Sequence, residues 1–314
     1  MNNAEFKNFE EAGQAVLKFL YQKFGFNLWM ITRTEGDDWI VLQSEDNGYN
    51  VQPGQVFRWA DSFCSQMVQG KAPRIAPRSE DIPLYVNAPI GKQVEIKAYI
   101  GQPLTKEDGS LFGTLCAIDP RPQSEAIMKE AGLIDLLGQM LSYILQGELR
   151  EVEQIRQRER FKEEALSDSL TGLFNRRAWD NLVNLEEERC KRYGHPTAIL
   201  MIDLNNLKTI NDSLGHNAGD ELIQKAATTL KGCVRSNDIV ARLGGDEFAI
   251  LSIENNQINA ESLVNRVLQA FAEANISAAI GLAMRNPLNG LLKTLQEADE
   301  KMYKHKKTLK SKSY

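Results

Sequence analysis

No run in this sequence approaches the about 18 consecutive apolar residues that a membrane-spanning helix needs. The first residues, Met1-Asn2-Asn3-Ala4-Glu5, also lack the basic and apolar regions of a signal peptide, so a soluble cytoplasmic protein with no membrane partner is expected. Positive charge is not in excess either: 37 Lys and Arg stand against 42 Asp and Glu, a net charge of -5. That balance gives no global attraction to nucleic acid, and any nucleotide site has to be local, made by a few Lys or Arg residues and metal. Cysteine is sparse. Cys64, Cys116, Cys190 and Cys233 show no CxxC spacing, which argues against a disulfide framework or a zinc site and for four reduced, buried thiols. Internal repeats and low-complexity segments are also absent from the sequence.

What is there suffices for two ordinary domains: 314 residues, 42% of them apolar. Ala12, Val16 and Leu20 fall four apart with Leu17 and Phe24 beside them, which predicts an amphipathic helix over 10–24. Residues 28–33 and 39–42 read as strands around the turn Glu35-Gly36-Asp37-Asp38. Trp59, Phe63 and Met67 mark a short helix within 51–70, and Pro and Gly make 71–92 a loop. Strands over 94–104 and 110–119 meet at Glu107-Asp108-Gly109. From 124 to 166 no Pro interrupts a long helix, and its broad apolar face (Leu133, Leu136, Leu137, Met140, Leu141, Ile144, Leu145) narrows to Leu149, Val152 and Ile155. A stripe that narrow fits a short parallel coiled coil or else a solvated connector.

The second half is organised around Arg242-Leu243-Gly244-Gly245-Asp246-Glu247-Phe248. Paired glycines between strand-like runs signal a tight hairpin, with Asp246 and Glu247 at its exit. Neighbouring strand residues point to opposite faces, so one carboxylate can face inward while the other faces a site. Upstream, the apolar run 197–202 reads as a central strand and stops at Asp203. Acids at the end of one central strand and at the tip of a neighbouring hairpin can converge on a hard cation such as Mg2+. By itself, Gly-Gly-Asp-Glu reads equally well as a solvated turn. Helices over 176–193, 206–213, 220–234, 260–274 and 291–307 and a strand over 276–284 complete the half, with helices on one face of the strands.

Four blocks in order, Asp168-Ser169-Leu170-Thr171-Gly172-Leu173-Phe174-Asn175-Arg176-Arg177, 203–220, 235–248 and Ala298-Asp299-Glu300-Lys301-Met302-Tyr303-Lys304-His305-Lys306, resemble a GGDEF domain, the catalytic domain of diguanylate cyclases. Residues 98–104 and 108–119 resemble the second half of GAF domains, sensory modules that enclose a small-molecule pocket. The resemblance implies an α+β chain: a GAF-like sensory domain over 1–145, a signalling helix over 124–167 that overlaps it, and a ferredoxin-like palm, the GGDEF catalytic domain, over 168–314. Trp59, Cys64, Met67 and Tyr99 are candidates to line the GAF cavity, whose ligand the sequence leaves unknown.

The activity implied is condensation of two GTP into cyclic di-GMP with release of two pyrophosphates, with Mg2+ as cofactor and Mn2+ as an alternative. By resemblance, Asp203, Asp246 and Glu247 with their side chains and Leu204 with its backbone carbonyl hold the metal. Asp246 is also the base for the ribose 3'-hydroxyl, and Lys208 offsets charge on the phosphates. Asn211 and Asp220 pair with guanine, His216 lies beside the same nucleotide, and Lys306 and Lys310 hold the β and γ phosphates. Arg235 and Asp238 form an RxxD inhibitory site for cyclic di-GMP. One domain holds one GTP, so a homodimer set by the GAF pair and the helix is implied. Asn205, Leu207, Leu243 and Leu309-Lys310 depart from the family pattern. The rival readings are a degenerate GGDEF domain that senses GTP or cyclic di-GMP without turnover, and a partner-binding scaffold.

Overall fold

The computed structural model describes residues 6–163 and 166–311, and the chain forms two compact units. The first reaches Ile155 and includes Arg192–Gly194; the second comprises Arg156–Lys191 and the chain from His195 onward. None of the described helices is long and apolar enough to cross a membrane.

In the first unit α1 (Phe9–Phe24) begins at Asn8, whose side-chain oxygen accepts from Glu11 N and so satisfies one of the orphan donors of the first turn. The elements β1 (Leu28–Glu35), β2 (Asp38–Asp46), β3 (Val56–Arg58), α2 (Phe63–Val68), β4 (Ile75–Ala76), α3 (Pro83–Val86), β5 (Ala98–Thr105), β6 (Leu111–Asp119) and α4 (Ala131–Glu163) follow. The strands form one antiparallel sheet in the order β3-β2-β1-β6-β5-β4. Strand alternation divides the core: Trp29, Ile31 and Leu115 pack with Leu17 and Leu20 of α1 and Leu141 and Leu145 of α4, whereas Met30, Tyr99 and Cys116 face Phe63, Cys64 and Tyr85.

Two expectations change here. The 71–92 stretch is not a bare loop but carries β4 and α3, because Ile75 and Ala76 pair with Ile100 and Tyr99 at the sheet edge. The narrow stripe on α4 is partly used within the unit: Leu149 and Val152 pack on its core, and Ile155 is 37% exposed. The predicted end of the helix runs into residues 164–165, which lie outside the described residues.

The second unit contains α5 (Arg176–Tyr193) as far as Lys191, β7 (Ala198–Leu204), α6 (Leu207–Leu214), α7 (His216–Cys233), β8 (Ile239–Gly244), β9 (Glu247–Ser252), α8 (Gln257–Glu273), β10 (Ala278–Met284) and α9 (Gly290–Ser311). Its antiparallel sheet has the order β10-β7-β9-β8. Helices cover both faces, not one. Ile223, Leu230, Leu263 and Val267 of α7 and α8 pack on Leu200, Ile202, Phe248 and Ile250, while Trp179, Leu182, Leu291 and Met302 of α5 and α9 pack on Ile199, Met201, Ala249 and Leu251. The reason lies in β7: all seven of its residues are buried, the mark of a strand that is covered twice. Gly281 on β10 lets α9 come close, since a Cβ there would lie 2.0 Å from Ala298 O and 2.2 Å from Met302 N.

Candidate active site

The β7–β9 register brings the two acidic segments together. Asp203 pairs directly with Glu247, and Ile202 with Phe248. Residues opposite each other in an antiparallel pair share a face, with Cβ atoms about 5 Å apart, so both carboxylates emerge on the α5–α9 side while Ile202 and Phe248 fill the α7–α8 side. The hairpin tip is Gly245-Asp246, one residue later than the expected turn. Gly245 takes φ 47°, a left-handed conformation that suits a residue without a Cβ. Asp246 is therefore a turn residue, and its carbonyl accepts from Leu204 N at 3.0 Å, which ties the tip to the end of β7.

Two cations reach the paired acids and a third braces the hairpin tip. Lys306 Nζ of α9 donates to both oxygens of Asp203, at 2.6 and 2.7 Å, and Asp203 is only 7% exposed. Arg176 at the start of α5 lies 3.6 Å from Glu247 and donates through Nε to Leu243 O at 3.0 Å. Arg242 Nε and Nη2 hold Gly245 O at 3.0 and 2.9 Å, and Nη1 reaches Asp168 Oδ1 at 3.2 Å. Burial raises the Asp168 carboxyl, but hydrogen bonds from Thr171 and Arg242 outweigh it and hold the group below the usual carboxylate range. These arginines and Ser277 escaped the sequence reading. The signal for Arg242 was present, since it flanks the hairpin that carries Asp246 and Glu247; Arg176 and Ser277 gave none. Asn205, a departure from the family pattern, bonds Ser277 through Nδ2 at 2.9 Å and through its backbone N at 2.8 Å, fixing the loop after Asp203.

A cavity of about 510 Å³ opens beside these groups, lined by Asp203, Glu247, Asp299, Met302, Tyr303, Lys306 and Lys307. Lys208 and Asn211 stand one helical turn apart on α6, and His216 and Asp220 one turn apart on α7, which starts four residues earlier than expected. Lys208, His216 and Asp220 are exposed, while Asn211 Oδ1 is buried and has no hydrogen-bond partner. An orphaned amide oxygen is uncommon in a folded interior and marks Asn211 as a group with capacity left to bond. Lys310 lies on α9, and its side chain is outside the described residues.

Among the described residues no three His, Cys, Asp or Glu side chains are gathered to hold a metal ion. Two carboxylates facing one cavity, with a third acid next to them in the chain, are nevertheless the hard oxygen donors that Mg2+ takes when substrate phosphates supply the rest. The Lys306 ammonium, seated on both Asp203 oxygens, shows that this position accepts a cation.

Arg235 and Asp238 close a tight turn: Arg235 N donates to Asp238 Oδ2 at 2.9 Å, and Asp238 N to Arg235 O at 3.1 Å. Asp238 Oδ1 also accepts from Ser252 Oγ and Ile253 N, both at 3.2 Å. Its carboxylate is thus spent on the fold. Arg235 is exposed at the edge of a second cavity of about 550 Å³, with Phe174, Lys231, Val234 and Ser236.

The first unit encloses a cavity of about 190 Å³ between the sheet and the α2–α3 side. Of the four candidate lining residues, Cys64 and Tyr99 line it. Met67 is instead packed in the core, and the Trp59 ring sits edge-on to Trp39 at 6.3 Å, because both belong to the layer of apolar side chains outside the cavity wall.

The second unit is thus an α+β palm with paired acids and a lysine at one end of its two central strands. The family model for the diguanylate cyclase GGDEF domain matches residues 165–312, and that for the GAF domain matches residues 8–144. Residues 165–312 therefore carry a GGDEF domain, and residues 8–144 ahead of them a GAF domain. Among its relatives is the diguanylate cyclase DgcP of Escherichia coli K12, 34% identical over 180 residues, which are 57% of this chain and 52% of that protein. The diguanylate cyclase DosC of the same strain is 35% identical over 146 residues, 43% of this chain and 32% of its own length. The cyclic di-GMP phosphodiesterase NbdA of Pseudomonas aeruginosa is 39% identical over 106 residues, 34% of this chain and 14% of its own. The chain spans about half the length of DgcP and less of the other two.

Proposed function

We propose that this protein is a diguanylate cyclase that joins two GTP into cyclic di-GMP and releases two pyrophosphates. The observation that carries the reading is the register pair Asp203 with Glu247, capped by Lys306 and facing an open cavity. Asp203, Glu247, Asp246 and the Leu204 carbonyl would hold Mg2+, or Mn2+ in its place, and the ion supplies charge stabilisation on the reacting phosphates. Lys306 moves from Asp203 to the β and γ phosphates when nucleotide enters, and Lys310 joins it there. Lys208 offsets charge on the α-phosphate, and Asp246 takes the proton of the attacking 3'-hydroxyl. Asn211 and Asp220 accept and donate to the guanine edge, a pattern adenine does not match, with His216 beside the same nucleotide. Two such units in a homodimer present each hydroxyl to the partner's phosphate, and the GAF domain and α4 govern that encounter. Arg235 forks to cyclic di-GMP as product inhibitor, with Asp238 holding the turn that presents it.

The test is purified chain with GTP and Mg2+, products resolved by chromatography, beside Asp246→Ala. Cyclic di-GMP from the parent and not from the variant supports the reading; GTP bound but never consumed by a dimeric parent points to a nucleotide sensor instead. With activity in hand, Arg235→Ala should weaken product inhibition without lowering the initial rate. Unchanged inhibition would remove Arg235 from that role.

A further inference from the structure

The floor of the GAF cavity holds two thiols that the reading above does not use. Cys64 on α2 and Cys116 on β6 are 1% and 0% exposed, both line the cavity, and one hydroxyl, Thr114 Oγ1, reaches both sulfurs. Tyr99 Oη lies 3.2 Å from Cys64 Sγ, and Thr114 Oγ1 lies 3.5 Å from Cys64 Sγ and 3.7 Å from Cys116 Sγ.

The proton positions follow by counting lone pairs. Thr32 Oγ1 accepts from Trp39 Nε1 at 2.9 Å and from Thr114 N at 3.2 Å, which uses its acceptor capacity. Its own proton therefore points at Thr114, whose Oγ1 is 2.8 Å and whose carbonyl is 3.1 Å away. The Thr114 hydroxyl proton is left for sulfur. Tyr99 donates to the same atom, so Cys64 Sγ is the end point of a buried donor chain in a largely apolar pocket. A thiol is a weak acceptor and a thiolate a strong one, and an arrangement of donors like this favours the anion. Burial raises the Cys64 thiol, but the bonds from Cys116, Thr114 and Tyr99 more than reverse it and the group ends below its ordinary value. Burial and the bond to Cys64 keep the Cys116 thiol protonated well above its own. Cys190 lacks such a donor set, and burial pushes it up to about 12.

We propose that Cys64 and Cys116 are a redox pair, which an uncharged hydroperoxide entering the GAF cavity oxidises to a Cys64–Cys116 disulfide. Among the described residues that line the cavity none is charged, so a neutral small oxidant enters at no electrostatic cost, and an anion pays for its desolvation. In the first step Cys64 sulfur attacks the hydroperoxide, the O–O bond breaks, and its electron pair leaves with the far oxygen. That oxygen takes the proton shed by Cys64 and departs as water or alcohol, leaving a sulfenic acid. Cys116 sulfur then attacks Cys64 sulfur. The S–O bond breaks, and the hydroxyl leaves as water with the proton of Cys116. Two thiols lose two electrons and one hydroperoxide gains them.

The experiment treats the reduced full chain with hydrogen peroxide, blocks remaining thiols by alkylation, and maps the digest by mass spectrometry. A linked Cys64–Cys116 peptide that dithiothreitol reverses is expected, forming at least about tenfold faster than Cys190 or Cys233 is oxidised. Cys116→Ser should stop at a Cys64 sulfenic acid that dimedone traps, and Thr114→Val should slow the first step while leaving the link possible. Oxidation of Cys64 no faster than that of Cys190 and Cys233, or a link that forms only in denaturant, overturns the proposal. The decisive comparison uses the unaltered chain and is independent of GTP turnover.

Discussion

Gly281→Ala changes one hydrogen into a methyl and should disable the site from the far side of a helix. The added carbon would meet Ala298 O at 2.0 Å, Met302 N at 2.2 Å and Met302 Cα at 2.9 Å. All three are backbone atoms, so no side chain can turn aside, and real Cβ contacts essentially never fall under 3.0 Å. Raising 2.0 Å to 3.0 Å lifts α9 off β10 by about 1 Å, a degree of overpacking that costs about 1–3 kcal/mol. For a unit of this size that is roughly 3–10 °C in Tm. Lys306 lies one turn beyond Met302, and its ammonium now sits 2.6 Å from Asp203. On the proposed role of Lys306 as a phosphate ligand, a displacement of about 1 Å lowers turnover by about a hundredfold. Thermal unfolding and GTP turnover read the two effects, and Gly232→Ala is the control. A Cβ at Gly232 meets nothing within 4 Å on α7, so that change should stabilise by about 0.5–1 kcal/mol. If Gly281→Ala melted and turned over like the parent, the placement of Lys306 by the α9–β10 contact would be refuted.

Lys306→Met strips Asp203 of the cation on both its oxygens and leaves a carboxylate that is 7% exposed without that partner. It should cost about 1–3 kcal/mol by chemical denaturation, and adding Asp203→Asn should recover most of the loss; additive losses would show the pair to be uncoupled. Glu187 binds Arg285 Nε and Nη2 at 2.9 and 2.8 Å and Leu291 N in the first turn of α9 at 2.7 Å. Burial raises its carboxyl, and Arg285 and Leu291 N outweigh that, so the folded value lies below the ordinary 4.5. A depressed carboxylate stabilises the fold above the unfolded value and loses that contribution as pH falls through the folded one. Glu187→Gln should therefore be less stable than the parent by about 1.5–3 kcal/mol at pH 7. The gap should narrow as pH drops below about 4.5, and a gap that stays constant with pH would discount the charge.

Legibility in the sequence followed the range of the interaction. Helix α5 was readable to the residue at both ends, and β7 announced itself as an unbroken apolar run ending in an acid. The glycine hairpin was readable too, though its turn residues are Gly245-Asp246. The long-range contacts were not. Nothing near Lys306 in the chain points to Asp203, 103 positions away, and nothing near Arg242 points to Asp168. Both depend on which helix face meets which strand, which is decided by packing across the sheet. The early start of α7 was missed because Gly215, with φ 86°, supplies the break that a polar cap residue usually signals. Asp238, half of the expected RxxD site, also accepts three hydrogen bonds from Arg235 N, Ser252 Oγ and Ile253 N, a use that the short motif does not signal.

The polar site and the apolar core are one decision of register. Ile202 with Phe248 and Asp203 with Glu247 are successive pairs on opposite faces of the same two strands. A slip of one residue would turn Asp203 toward the α7–α8 core that Ile202 and Phe248 now fill, and take it away from Lys306. A carboxylate without a partner in that layer costs several kcal/mol, as does the loss of a buried phenyl ring, so both faces reject the slipped pairing. Large apolar residues at 202 and 248 therefore position the acids as firmly as any contact the acids make themselves. Shaving Phe248 to Leu should loosen the site before any polar residue in it is touched.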